Sequence, residues 1–300
     1  MTLLDSILMR KTESFSAFNI FDDQLIGFSP DDYSKFKYGS LTIARKFGYT
    51  LARHFIKQYG HMLTSRAMVV VPSAFSHIPT ASCAMEAFFV DQLNLFLFQN
   101  GCQPVEQAKI HRTVTYREDY GEMSAEERYN LIKGDRFHID KTFLGDKTLI
   151  FIDDIKITGT HERIIVKMLD DFGIENDSLM LYLAELKNPN INPRFENYLN
   201  QYFVKNLSHL HHIIQHDSFR FNTRVVKYIL NSPHDECKEF LALQSEPFVN
   251  ELFFLAIGNS YGQFDDYKQN LLYIQNIVNH HSNAHMHENL KENLLSEIIQ

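Results

Sequence analysis

One segment of the chain, LIFIDDIKITGTHERII (149–165), constrains the fold more than any other. It begins with an uninterrupted apolar run, which is typical of a strand buried on both faces of a parallel sheet. Two acids, Asp153 and Asp154, follow this run, and after Thr158-Gly159-Thr160 the apolar residues recur at helical spacing. The segment therefore predicts a strand, a polar turn and a helix in succession, which is the repeating unit of an α/β protein.

Further apolar runs extend this unit into a sheet. We predict buried strands at 67–71, 148–152 and 179–186, a shorter strand at 105–112, and helices from Leu41 to Phe55 and over about 80–99. Short buried strands that alternate with helices predict a parallel sheet with helices on both faces. After KNPNINP (187–193) the apolar residues keep helical spacing to the end of the chain. We therefore expect an α/β domain over residues 1–190 and an α-helical C-terminal region over 191–300.

The polar turn has the composition of a sugar-phosphate site. In open α/β sheets, ligands bind at the carboxyl ends of the strands, where Asp153 and Asp154 are placed. Two carboxylates can accept hydrogen bonds from ribose hydroxyls, while the Thr158 and Thr160 hydroxyls and the free amides of a helix start suit a phosphate. Gly159 allows close approach of the backbone. The alternative is an ordinary polar turn with a helix cap, but neither a Walker phosphate loop nor a dinucleotide fingerprint is present.

Composition limits the remaining functions. The net charge of −8 disfavours general nucleic-acid binding, which depends on Lys and Arg neutralising phosphates. Three cysteines without metal-knuckle spacing favour a reduced, cytoplasmic location. No signal peptide or membrane span is expected. Histidines cluster at 209–216 and 280–287, and we interpret them as helix-surface residues, so that no resident metal site is predicted.

Three segments resemble type I phosphoribosyltransferases. IDDIKITGT (152–160) resembles their phosphoribosyl pyrophosphate motif, and VVVPSAFSHIPTA (69–81) is similar to the pyrophosphate loop of orotate phosphoribosyltransferases. MSAEERYNLIKGDRFHI (123–139) resembles the segment that precedes the motif in ComF-like phosphoribosyltransferases. The resemblance covers roughly residues 40–187. It implies a phosphoribosyltransferase-type sheet that binds phosphoribosyl pyrophosphate with Mg²⁺ and transfers the phosphoribosyl group to a small-molecule base or amine.

The resemblance also implies a role for each part of the site. Asp153 and Asp154 would hold the ribose, Mg²⁺ would bridge the ribose and the diphosphate, and residues 113–127 would form a mobile catalytic hood. Arg112 and Arg117 flank this hood, where they would either neutralise the departing pyrophosphate or be scattered charges of a solvated loop. The turn that holds the 5-phosphate would comprise Lys156, Ile157, Thr158, Gly159, Thr160 and His161. The pyrophosphate loop would comprise Ala74, Phe75, Ser76 and His77.

Three departures from the family pattern leave the reaction open, and one of them is His161 in place of the last hydroxyl of many phosphate loops. Ile157 stands where purine-type enzymes often have an Asp that acts as a base, and Ser76 stands where the orotate enzymes commonly have Lys. Without that base, an acceptor that is already anionic, of the orotate or uracil class, is favoured. A non-catalytic sensor or accessory protein of the same fold is the alternative. The helical region could cap the active site, form a homodimer interface or bind a protein partner.

Overall fold

The structure is a computed structural model, and it describes residues 10–109, 111–112, 137–138 and 140–280. Within these ranges, five strands form a wholly parallel sheet in the order β1-β7-β6-β2-β3. These strands are β1 (Thr12–Ile20), β2 (Met68–Pro72), β3 (Glu106–Gln107), β6 (Thr148–Lys156) and β7 (Ser178–Leu186). Two short strands, β4 (His111–Arg112) and β5 (Phe137–His138), form a separate antiparallel pair. The predicted parallel α/β sheet is confirmed.

The helices divide between the sheet and the C-terminal region. The first six are α1 (Pro30–Lys37), α2 (Leu41–Leu63), α3 (Ala81–Gln99), α4 (Lys141–Leu144), α5 (Thr160–Asp171) and α6 (Phe195–Asn200). The helical region continues with α7 (Leu207–His216), α8 (Thr223–Leu230), α9 (His234–Ala242), α10 (Glu246–Gly258) and a helix over residues 265–280. Several of these helices begin after a residue whose side chain caps the first turn: the Ser40 hydroxyl, for example, accepts a hydrogen bond from the Ile43 amide at 3.1 Å.

The side chains of β6 alternate between two cores. Ile150 and Ile152 lie in the core formed with α2 and α3, whereas Leu149 and Phe151 lie in the core formed with α5. This is the two-residue period of a strand that is covered on both faces. On one side, α2 and α3 approach closely at Gly48, where a Cβ atom would stand 2.4 Å from the Met85 carbonyl oxygen. Glycine at that position therefore allows α2 and α3 to pack closely against each other.

Three details differ from the sequence-based predictions. The strand that carries the acids extends to Lys156 rather than ending at residue 152, because Asp153, Ile155 and Lys156 continue its pairing with β7. The predicted strand at 105–112 is divided between β3 in the main sheet and β4 in the small pair. The edge strand β1 was not predicted, because it is partly exposed and alternates in polarity instead of forming an apolar run.

The helical region has a core of its own, and that core reaches into the α/β half. Leu210, Val225 and Leu252 are buried in it, together with Tyr38 and Ile78 from the first half of the chain. In the other direction, Phe195 and Leu199 of α6 pack into the core of the sheet. The proposed boundary near residue 190 stays a prediction.

One helix among the described residues, α3, has the length and composition that a membrane span requires. Its Met85, Phe89 and Leu93 are buried in the core beside the sheet, and α2 packs along it. A core helix meets the same criteria, so the finding is weak support for membrane insertion.

Candidate functional site

Asp153 and Asp154 point to opposite faces of the sheet, because they are neighbours on the extended strand β6. Asp153 has the parity of Phe151 and faces α5, while Asp154 has the parity of Ile152 and faces α1 and α2. The two carboxylates that the sequence places side by side therefore have different surroundings. Each has to be considered separately as a ligand-binding group.

Asp153 lies at the start of the turn and is held by hydrogen bonds from three directions. Its carboxylate accepts from the Ser73 hydroxyl at 3.2 Å and from the Asp154 amide at 3.0 Å. The other oxygen is 2.8 Å from Nδ1 of His161. Burial by itself raises the pKa of Asp153, but the charge and hydrogen bond of His161, together with the Lys37 ammonium, lower that pKa below its ordinary value. Asp153 is therefore an ionised carboxylate at neutral pH.

Asp154 is buried and already paired. Its carboxylate accepts a hydrogen bond from the Tyr33 hydroxyl at 2.8 Å and forms an ion pair with Lys37. Burial and the Asp154 charge raise the pKa of Tyr33, so its hydroxyl remains a donor. Tyr33 and Lys37 are four residues apart on α1, which places both on one face of the helix. The sequence analysis did not identify Tyr33 and Lys37 as site residues, although their four-residue spacing within PDDYSKFK could have indicated a shared helix face.

The turn after β6 has the geometry of an anion site. Gly159 adopts a left-handed conformation, with φ of 67°, as the residue that caps the start of α5. The hydroxyls of Thr158 and Thr160 lie 2.8 Å apart, so they converge on one point. Arg163, which sequence reasoning also missed, donates to the Thr158 carbonyl at 3.0 Å and to the Thr160 hydroxyl at 2.9 Å. A cation, two hydroxyls and a helix start thus meet at this turn.

Lys156 and Ile157 are less available to a ligand. The Lys156 ammonium lies 2.7 Å from Glu162 and 3.4 Å from Glu185, so its charge is already neutralised. Ile157 is half-buried and packs against the core on the α2 side of the sheet. His161 is half-exposed beside Asp153, and it connects the turn to the carboxylate.

The loop between β2 and α3, residues 73–80, is fixed by the helical region. The Asn259 side chain accepts hydrogen bonds from the His77 and Ile78 amides at 3.1 and 3.3 Å. The Thr223 hydroxyl donates to the Ile78 carbonyl at 3.0 Å. The His77 amide is consequently engaged within the protein, while Ala74, Phe75 and Ser76 are half-buried. Phe75 lies beneath the Lys109 ammonium, 4.0 Å from the ring centroid.

Of the two arginines expected at the hood, one lies among the residues that the structure describes. Arg112 belongs to β4, where it pairs with Phe137 of β5. Arg117 and the predicted hood at 113–127 lie outside the described residues. The structure thus brings Asp153, the turn at 158–161 and the start of the loop at Ser73 together, and it turns Asp154 away from them.

The donor set fits Mg²⁺ only as an ion shared with a ligand. Within the described residues, no three His, Cys, Asp or Glu side chains are grouped so that they could hold a metal ion. Asp153 offers one ionised carboxylate beside the turn, whereas Asp154 is neutralised by Lys37. Mg²⁺ is commonly held by one or two carboxylates together with substrate phosphates and water, which this arrangement allows.

The solved structures to which this chain is similar include phosphoribosyltransferases. A hypoxanthine phosphoribosyltransferase from Staphylococcus aureus matches 47% of this chain at 14% identity and a TM-score of 0.31, over 64% of its own length. The hypoxanthine-guanine enzyme of L. donovani matches 48% of this chain and 72% of its own at 13% identity and a TM-score of 0.30. A Trypanosoma cruzi hypoxanthine phosphoribosyltransferase in complex with the product IMP matches 50% and 72% at 16% identity and 0.30. The first match thus spans less than two thirds of the enzyme's length.

Family membership rests on the sequence itself. A search of curated proteins found no match. The family model of ComF-like phosphoribosyltransferases, in contrast, matches residues 11–274, which is most of the chain and includes both the sheet and the helical region. The chain therefore belongs to the ComF-like family of phosphoribosyltransferases.

Proposed function

We propose that this protein binds 5-phospho-α-D-ribose 1-diphosphate, hereafter the sugar diphosphate, and transfers its phosphoribosyl group to a small acceptor with release of pyrophosphate. One observation carries the proposal: the anion site at Thr158–Thr160 lies directly after a strand whose Asp153 is ionised. A phosphate subsite beside a charged acceptor of hydroxyl hydrogen bonds matches a ribose 5-phosphate.

The 5-phosphate is expected at the start of α5. The Thr158 and Thr160 hydroxyls would donate to its oxygens, and the Arg163 guanidinium beside them would add a charge-assisted contact. The left-handed Gly159 lets the backbone amides approach the phosphate without an intervening side chain. The helix dipole favours the same charge.

The ribose is expected on Asp153. Its carboxylate would accept hydrogen bonds from the vicinal hydroxyls, with Ser73 and His161 fixing its orientation. Asp154 lies on the opposite face of β6 and would act indirectly, because its ion pair with Lys37 holds β6 against α1. Asp153 would help to hold Mg²⁺ when the sugar diphosphate is bound, and the ion would supply positive charge that neutralises part of the diphosphate.

The reaction is a substitution at carbon 1 of the ribose. The bond from carbon 1 to the diphosphate oxygen breaks, and pyrophosphate leaves with the electron pair through an oxocarbenium-like state. The acceptor nitrogen then forms the new bond to carbon 1, and any proton it still carries passes to the departing pyrophosphate or to solvent. Pyrophosphate would leave past Ala74–Ser76, while the expected contributions of Arg112 and Arg117 stay predictions. A half-buried Ile157 offers no base, so an acceptor of the anionic orotate or uracil class fits best.

A non-catalytic sensor of the sugar diphosphate is the second candidate. It is favoured by the engagement of Asp154 with Lys37 and of the His77 amide with Asn259, which leaves fewer groups free to contact a transition state. Turnover separates the two functions, because both require binding.

The test has a binding arm and a turnover arm. Calorimetry with the sugar diphosphate and Mg²⁺ should show binding to the wild type and at least tenfold weaker binding to Thr160→Val, which removes one hydroxyl at nearly constant volume. Thr50→Val, on the exposed side of α2, serves as the matched control. Pyrophosphate release with a panel of nucleobases and amines then tests transfer. Absence of binding would refute the proposed function, and binding without turnover would select the sensor.

A further inference from the structure

A chain of three hydroxyl side chains leads from the start of α3 to Asp153. The Ser82 hydroxyl donates to the Ser73 hydroxyl at 3.0 Å, and the Ser73 hydroxyl donates to the Asp153 carboxylate at 3.2 Å. The Thr80 hydroxyl lies 2.8 Å from that of Ser82. We call Thr80, Ser82 and Ser73 the hydroxyl relay. It connects both ends of the loop 73–80 to the acid that we expect to bind the ribose.

The direction of every hydrogen bond in the relay follows from its last acceptor, because each hydroxyl has one proton to donate. Asp153 is ionised and can only accept, so it attracts the Ser73 proton, which the Ile152 carbonyl at 3.2 Å shares. Ser82 therefore donates to Ser73. Its proton is then unavailable to Thr80, so Thr80 is the donor between those two. Hydroxyls that all donate towards one charge strengthen each other's hydrogen bonds.

Thr80 provides independent support for the relay, because its side chain forgoes the usual hydrogen bond of its position. It caps the start of α3, where a threonine hydroxyl typically accepts from an amide of the first turn. Such a bond contributes about 1 kcal/mol to helix stability, and Thr80 does not form it. Its hydroxyl contacts the Ser82 side chain instead. The arrangement favours the relay over the stability of the helix end.

Ser82 is the member of the relay that is shielded from a ligand. Only 4% of the residue is exposed. A cavity of about 500 Å³ lies beside the loop 73–80, and Thr80 belongs to its described lining whereas Ser82 and Ser73 do not. An effect of Ser82 on ligand binding would therefore have to pass through its hydrogen bond to Ser73.

The start of the relay is held by the helical region. The Thr223 amide donates to the Pro79 carbonyl at 2.9 Å, immediately before Thr80 in the chain. The Thr223 hydroxyl lies 3.2 Å from the same carbonyl. The relay consequently begins at a fixed point and ends on the carboxylate of Asp153.

We propose that the hydroxyl relay positions Asp153 for the sugar diphosphate, with Ser73 and Ser82 as positioning residues. This inference rests on the proposed function. Oδ1 of Asp153 accepts from Ser73 and from the Asp154 amide, while Oδ2 lies beside His161, so both oxygens are oriented before a ligand arrives. A carboxylate that is already oriented loses less conformational entropy when the ribose hydroxyls bind, which increases affinity.

The test is calorimetry with the sugar diphosphate and Mg²⁺ on Ser82→Ala, which removes the middle hydroxyl and leaves Asp153 in place. We expect Kd to rise by about three- to tenfold. Ser178→Ala is the matched control, because Ser178 is similarly buried and lies 3.0 Å from the Thr12 hydroxyl at the amino end of β7. It should lower the urea midpoint of unfolding and leave Kd unchanged within about twofold.

A double variant separates positioning from a general loss of structure. If Ser82 acts through Ser73, adding Ser82→Ala to Ser73→Ala should change Kd by less than about twofold, because the relay is already interrupted. Thr80→Val removes the first hydroxyl at nearly constant volume and should also weaken binding, whereas Thr80→Ser keeps the hydroxyl and should bind as the wild type does. The Thr80 pair decides the matter if Ser82→Ala does not fold.

The outcomes distinguish the relay from the proposed function. Absence of binding to the wild type would refute the proposed function, and the ligand role of the relay with it. Wild-type binding that Ser82→Ala and Thr80→Val leave unchanged would overturn the relay alone. An additive loss in the double variant, or an equal rise of Kd in Ser178→Ala, would overturn the relay as well.

Discussion

At the residue scale, the neighbouring acids Asp153 and Asp154 have different partners and are expected to have different roles. Asp153 is the ionised group beside the turn at 158–161, where we propose that the sugar phosphate binds, so Asp153→Asn should weaken binding of the sugar diphosphate. Losing a charge-assisted contact of about 1.5–3 kcal/mol corresponds to a roughly 10- to 150-fold rise in Kd. Calorimetry at pH 7 with Mg²⁺ measures it. An unchanged Kd in the folded variant would exclude Asp153 from the ribose site.

Asp154→Asn should act on stability instead. Removing one partner of a buried ion pair leaves the Lys37 ammonium without its counter-charge, which destabilises a protein by about 3–5 kcal/mol. Urea unfolding should therefore show a much larger loss for Asp154→Asn than for Asp153→Asn. The paired variant Asp154→Asn with Lys37→Met should recover part of the loss. Equal stability of the two single variants would contradict the assigned roles.

The sequence predicts the chemical character of these residues better than it predicts which residues contact them. The apolar run, the acids and Thr158–Thr160 were sufficient to predict a strand, a turn and a helix, because their order along the chain is local, while the phosphate site stays a prediction. Tyr33 and Lys37 lie 121 and 117 positions before Asp154, so their contacts depend on how α1 packs against the sheet. Glu86 of α3 was also missed, because its burial, with only 5% of the residue exposed, depends on how the helix packs in the fold.

At the element scale, the loop 73–80 depends on the helical region. Asn259→Ala removes the acceptor of the His77 and Ile78 amides, and it should lower the free energy of unfolding by about 1–3 kcal/mol. Hydrogen exchange of these two amides should accelerate. Asn94→Ala is the matched control, because Asn94 accepts from the Val105 amide in another loop. It should destabilise the protein without changing exchange at His77. Unchanged exchange in Asn259→Ala would refute the anchoring role.

Elements were predictable where periodicity was strong. The strands at β2 and β7 and the helix α2 follow from continuous apolar runs or helical spacing, and the structure confirms them. The edge strand β1 is partly exposed, so its stability depends on pairing with β7, which no local pattern encodes. β3 has only two residues. It belongs to the sheet because it pairs with β2, which its own short sequence does not indicate.

At the scale of the whole molecule, the helical region contacts the α/β half at the loop 73–80, beside the candidate site. The family match spans both halves, from residue 11 to residue 274, in agreement with the contacts between Asn259 and the loop 73–80. A helical region that holds this loop can influence a ligand without touching it. The sequence indicated that the region is helical, but not this role, because the contacts join residues about 180 positions apart.

Glu86 should make the stability of the whole protein depend on pH. Folding raises its pKa from the ordinary value of about 4.3 to about 8, so the folded state holds the proton more tightly than the unfolded state. This stabilisation is complete below about pH 4 and is lost as the pH rises towards 8, by up to about 1.4 kcal/mol per pH unit. Glu86→Gln has no such proton, so its stability relative to the wild type should increase from pH 5 to pH 8 in urea unfolding. A difference that is constant with pH would show that Glu86 is ionised or solvated in the folded protein.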